Sequence, residues 1–190
     1  MKLRSLLFVA VLSLSTFAIA QHDASAHQAA AAPAAPSDAE KSFTTIKSLA
    51  GEWEGLVTVP EMPNMPGGKL MHASLRVTSR GHALVHEFQE AGTKLDATKY
   101  DHPVTMFYLD GDQLTLVHYC DAGNRPRMIG TKSSDGKSVD FELKDISGNP
   151  LYHMHHAVLT VIDANHHTED WTFMMKDKPM HAHFDLHRVN

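Results

Sequence analysis

From Gly51 onward, turn signals cut the chain into short segments, and everything between them reads as strand. Asp110-Gly111 and Asp135-Gly136 are the dipeptides that tight hairpins select. Arg80-Gly81, Ser147-Gly148-Asn149-Pro150, Asp163-Ala164-Asn165 and Asp177-Lys178-Pro179 also mark turns, and Pro60 to Gly68 is a longer Pro/Gly-rich loop. The segments left are Gly51–Val59, Leu70–Val77, Ala83–Glu90, Val104–Leu109, Leu114–Cys120, Arg127–Lys132, Val139–Leu143, Leu151–Ile162, His167–Met175 and Met180–Val189. Strands joined by such short turns pair with their sequence neighbours in antiparallel fashion. A meander of about ten strands either closes on itself or leaves edges exposed. The expectation is an all-β, up-and-down barrel, with a two-layer sandwich as the other arrangement.

One helix precedes the strands. Ser37-Asp38-Ala39-Glu40 has the S-x-x-E form of a capping box. Phe43, Ile46, Leu49 and Ala50 then recur at helical spacing, and Gly51 ends the segment. In the barrel reading this short helix covers one mouth.

The N-terminus reads as an export signal. Lys2 and Arg4 precede an apolar run from Leu6 to Ala20 that closes on Ala18-Ile19-Ala20, the small-x-small pattern of a cleavage site after Ala20. The run is short for a membrane span, so no stable membrane insertion is expected, and Gln21 in place of Cys argues against a lipid anchor there. Residues 21–36 are almost wholly Ala, Pro, Ser and His and read as a disordered linker. Residues 37–190 are then the barrel domain, in a protein expected to be periplasmic or secreted.

A formal net charge of −5 without a Lys/Arg cluster disfavours nucleic acid and anionic membranes as partners. Cys120 is the only cysteine, so no intramolecular disulfide forms. Histidine is abundant at 15 residues, eight of them between His153 and His187. With ten methionines, the chain is rich in the side chains that hold borderline metals or haem.

Gly51-Glu52-Trp53-Glu54-Gly55, following a short helix, resembles the opening strand of calycins: lipocalins, fatty-acid-binding proteins and the nitrobindin group. The last segment, His181-Ala182-His183-Phe184-Asp185-Leu186-His187-Arg188-Val189, resembles the nitrobindin ending, in which a histidine before Leu-x-Arg/Lys coordinates haem iron. The resemblance implies a ten-stranded barrel and places His181 at the iron-binding position. Val57 stands where nitrobindins carry glycine. The central stretch from Thr105 to Met128 resembles a group of uncharacterised secreted bacterial proteins, which implies no activity.

Strand alternation sorts candidate site residues by face. Leu114, Leu116, His118 and Cys120 share one face, the apolar and inward one. The turn after it carries Asn124, Arg125 and Arg127, placed to meet a ligand carboxylate or phosphate at a barrel mouth. Trp53, Phe88, Phe107, Tyr119 and Trp171 are expected to supply walls. His153/His155 and His181/His183 each put two imidazoles on one face, about 6–7 Å apart at Cα, a spacing that can chelate a metal. On the last strand the amphipathic reading puts Phe184 and Leu186 inside and the histidines in water; a polar-lined cavity would reverse it.

Three readings stay open. The first is an exported, non-catalytic protein holding a small hydrophobic or amphipathic molecule, with Trp53, Phe107, His118, Tyr119, Asn124, Arg125, Arg127 and Trp171 around it. The second is haem or Zn/Cu binding through His153, His155, His181 and His183. The third is an enzyme using a cavity histidine paired with a carboxylate; no catalytic residue is assigned and no nucleophile elbow or phosphate loop is present.

Overall fold

A computed structural model describes residues 35–62 and 68–189. The export signal and nearly all of the linker lie outside these residues. Among them, one helix and ten strands form a closed antiparallel barrel in simple meander order.

The helix α1, Asp38–Lys47, starts where the sequence places it. The Ser37 side chain accepts from the Glu40 backbone N–H, and the Glu40 carboxylate accepts from the Ser37 N–H, a complete capping box. Phe43 and Ile46 turn inward with Leu49 and seal one end of the barrel.

The strands are β1 (Gly51–Thr58), β2 (Lys69–Thr78), β3 (Ala83–Glu90), β4 (Val104–Asp110), β5 (Gln113–Tyr119), β6 (Arg125–Lys132), β7 (Ser138–Ser147), β8 (Tyr152–Asp163), β9 (His166–Met175) and β10 (Lys178–Arg188). Each pairs with its successor, and β1 pairs with β10 through the Trp53↔Arg188 to Thr58↔His183 register. The barrel arrangement therefore holds and the sandwich does not. Near the seam β1 and β10 run so close that a Cβ on Gly55 would lie 1.7 Å from the Asp185 carbonyl oxygen.

Alternation sends one face of every strand inward. The interior is largely apolar: Trp53, Phe107, Leu114, Leu116, Met128, Phe141, Leu159 and Leu186 are fully buried. The Trp53 indole N–H donates to the Leu49 carbonyl at 2.8 Å, tying the helix exit to the first strand. Three register shifts break alternation: Lys144 is the extra residue on β7 opposite Arg127 and Met128, and His155 and Ile162 are the extra residues on β8.

Candidate functional site

A band of buried polar side chains crosses the apolar interior, from His167 beside Trp53 to His118. His86 on β3, Thr105 on β4 and His118 on β5 stand side by side in register, all pointing inward and all at most 2% exposed. The His86 and His118 ring centroids lie 6.2 and 5.5 Å from that of the Trp171 indole. Below it on β9, His167 and Glu169 are entirely buried. Strand period places His167, Glu169 and Trp171 on one inward face, as it does Ala83's neighbour Leu84 with His86 and Phe88.

Glu169 is the hub. One carboxylate oxygen lies 3.0 Å from His167 Nε2 and 3.4 Å from His86 Nε2, and the other accepts from the Trp171 indole N–H at 2.8 Å. Burial pushes its carboxyl up, but the His86 imidazole, His167 and the Trp171 hydrogen bond outweigh that and leave it below the usual carboxylate range. Burial in turn pushes His86 below its ordinary value. An uncharged His86 cannot also be the cation that holds Glu169 ionised. The geometry resolves this in favour of the hydrogen bonds: His167 and Trp171 donate to the carboxylate, whereas neither His86 nitrogen has a hydrogen-bond partner. Burial, reinforced by His86, pushes His118 down to about 4. His118 uses Nδ1 with the Thr105 hydroxyl at 2.8 Å and leaves Nε2 unpartnered.

Burying a carboxylate costs several kcal/mol unless its partners compensate, and an apolar core would have closed this barrel equally well. Unpartnered buried imidazole nitrogens lose their own hydration for nothing in return. Phe88 and Phe184 stack at 4.5 Å beside this cluster, and Phe88 also meets the His86 ring edge-on at 4.4 Å. Polar donors and acceptors beside an aromatic pair can hold one end of a small guest and cover the other.

The residues singled out from sequence are dispersed. His118 and Trp171 belong to this buried polar cluster. Trp53 and Phe107 are fully buried packing, Trp53 edge-on to His167 at 4.2 Å. Tyr119, expected as a wall, is 45% exposed because it follows His118 and faces out. Asn124 is buried, but its amide donates to the Asn149 and Tyr152 carbonyls, so it ties two loops together. Arg125 donates outward to the Ser147 hydroxyl. Arg127, expected at the mouth, is on the outer face in an ion pair with Asp145, since β6 alternates without a break from Pro126 inward through Arg127 outward to Met128 inward. Asp110 Oδ2 lies 3.8 Å from the same guanidinium.

The C-terminal histidines are outside. Phe184 and Leu186 are buried, while His181 and His183 are exposed. His181 Nδ1 is 2.6 Å from Glu61, and His183 Nδ1 is 2.6 Å from Asp170. A side chain committed to Glu61 on the outer face does not fit an iron ligand within the barrel. His153 and His155 share a hydrogen bond of 3.1 Å, with the other His153 nitrogen on the Pro150 carbonyl. The bulge at His155 is what parity from sequence misses. These four histidines therefore form two separate clusters with their own partners. His86, His167 and Glu169 went unassigned from sequence; the inward parity of His167-x-Glu169-x-Trp171 was the available signal.

No family model matches the chain, and no curated protein does. Among solved structures, it is similar to Rv2717c from M. tuberculosis, with a TM-score of 0.57 and 14% identity, covering 78% of this chain and 98% of that one. A protein of unknown function from Nostoc punctiforme, of the DUF3598 family, aligns with a TM-score of 0.48 and 11% identity over 76% of this chain, which spans 49% of that one. At these identities the first likeness concerns the fold alone: a closed ten-stranded antiparallel barrel.

Proposed function

We propose that this is an exported binding protein that holds a small amphipathic molecule inside the barrel. Its polar end meets His86 and His118, and its apolar part lies against Trp171 and the Phe88–Phe184 pair. The reading is supported chiefly by one observation: three buried imidazole nitrogens, both of His86 and Nε2 of His118, face Trp171 without a hydrogen-bond partner. In this reading Glu169 orients the chamber through His167 and Trp171 and does not touch solvent. The calycin resemblance at both ends of the barrel agrees with a binding role, and the Ala18-Ile19-Ala20 motif supports export.

The test is native mass spectrometry of the full chain purified from the exported fraction, with displacement of an environment-sensitive dye. A co-purifying small molecule or a saturable dye site, weakened at least tenfold in His86→Leu and in His118→Leu, is the expected result. No bound molecule and no saturable site would overturn the reading. N-terminal sequencing of the exported protein should begin at Gln21.

A second reading, catalysis, has one observation in its favour. A buried carboxylate 3.4 Å from a perturbed imidazole is the couple a general base requires. Turnover of any bound molecule, lost in Glu169→Gln while binding persists, would favour it over simple binding.

A further inference from the structure

The outer face of the barrel carries a second constellation, remote in character from the buried chamber. His166 on β9 and His187 on β10 are directly opposed in the register, and Asp185 is one pleat away on β10. Directly opposed residues in an antiparallel pair keep their Cβ atoms about 4.5–5.5 Å apart. The two imidazoles stack at 4.3 Å between centroids, and both turn Nε2 toward the same carboxylate oxygen of Asp185, at 2.7 Å from His166 and 3.6 Å from His187. The three donor atoms all lie within 4.8 Å of one another.

Two stacked imidazoles aimed at one carboxylate oxygen are a poor arrangement for ion pairing. Protonating both rings would set two cations face to face. A single cation between the three donors serves all of them. With zinc–nitrogen and zinc–oxygen distances of about 2.0–2.2 Å, the edge of a tetrahedral site is roughly 3.3–3.5 Å. The separations observed bracket that edge, so a small adjustment of rings that are exposed on one side completes the geometry. Zinc also accepts this donor set of imidazole and carboxylate, with the fourth position left to water. The strip continues across the seam: His187 is opposite Glu54 on β1, and Glu54 is opposite His72 on β2, whose ring lies 2.9 Å from Glu52 and 3.6 Å from Glu54. Acidic neighbours favour a divalent cation over the bare protein.

We propose that His166, Asp185 and His187 form a zinc-class divalent metal site on the outside of the barrel. It is built from β9 and β10 and is separate from the histidine pairs His153/His155 and His181/His183. A bound ion would clamp the last two strands together.

The test is titration of untagged, metal-stripped full chain with Zn²⁺ against a chromophoric chelator, with thermal melts at each ratio. The expected result is a saturable site whose affinity falls at least tenfold in each of His166→Ala, Asp185→Asn and His187→Ala. His156→Ala, which removes the imidazole beside Asp140 and Glu142, should leave that site unchanged. Zinc should raise the melting temperature of the parent chain and not that of the His166→Ala variant. Melts without metal check that the variants fold. The proposal is overturned if the tightest zinc site survives all three substitutions, or if no saturable site is found at micromolar zinc.

Discussion

The Arg188 guanidinium lies over the Trp53 ring at 4.1 Å and donates to the Ala50 and Ala164 carbonyls at 2.9 and 3.0 Å. Arg188 and Trp53 are cross-strand partners in the β1–β10 register. One side chain thus fastens the helix exit, the β8–β9 turn and the seam of the barrel. Gly51 is glycine for the same reason: with φ +146°, any Cβ there would strike Arg188 Nη1 at 2.0 Å.

Replacing Arg188 with Ala removes the cation–π contact and two hydrogen bonds, at a cost of about 1–3 kcal/mol. Arg188→Lys should recover little, because an ammonium cannot lie flat on the indole and reach both carbonyls. Urea denaturation of the three proteins checks this. Equal stability of parent and Arg188→Ala would show that the seam does not depend on it.

Stability should fall as acidity rises through the range in which His118 titrates. Its folded pKa, about 4, lies below the unfolded value of roughly 6.5. Between these values the unfolded chain binds the proton and the folded chain does not, so stability is fully present above about pH 6.5 and is lost toward pH 4. The difference is worth about 3 kcal/mol at full development. His86, also lowered, adds in the same direction. Denaturation at pH 7 and pH 4.5 should show the loss in the parent chain and a smaller one in His118→Leu. An unchanged slope in that variant would mean His118 is not the group responsible.

Asn124 and Arg127 should behave oppositely although three residues separate them. Asn124→Ala removes the buried amide that ties the Asn149 and Tyr152 carbonyls together and should cost about 1–3 kcal/mol. Arg127→Ala removes only exposed ion pairs, with Asp145 and Asp110, and its melting curve should overlay the parent's. Ligand binding should also be unaffected by Arg127→Ala, since the side chain lies on the outer face. Thermal melts and dye titrations of both variants decide it.

Gly55→Ala tests the closeness of the seam. The added methyl would meet backbone atoms of Asp185, which cannot rotate away. The loss should sit at or above the top of the usual overpacking range, about 3 kcal/mol. A variant with native stability would mean that β1 and β10 can separate at low cost.

The strands were legible because turns announce themselves locally. Asp110-Gly111 and Asp135-Gly136 bracket β4 to β7 where expected, and the capping box at Ser37 is formed in full. Faces were legible wherever alternation is unbroken: His118 is inside, and Phe184 and Leu186 are inside with His181 and His183 out. Parity failed at the β8 bulge, which separated His153 and His155 from the period of the rest of that strand; Arg127 was read as a turn residue, whereas it continues the alternation of β6 with its side chain outward. Register was not legible at all. Nothing local in the sequence says that His166 faces His187, or that His86, Thr105 and His118 form one row, because each depends on how far a strand slides along its neighbour.

The seam also sets an order of events when the chain folds. Nine of the ten strand pairings join sequence neighbours, the longest connection between them being residues 91–103. The pairing of β1 with β10 joins residues as distant as Trp53 and Arg188. Its entropy cost is met only after the intervening strands have formed and brought the two ends together. Trp53 therefore acquires its arginine last, and its fluorescence should report the final, slowest step of refolding, after the hairpins between Ala83 and Met175 have already assembled.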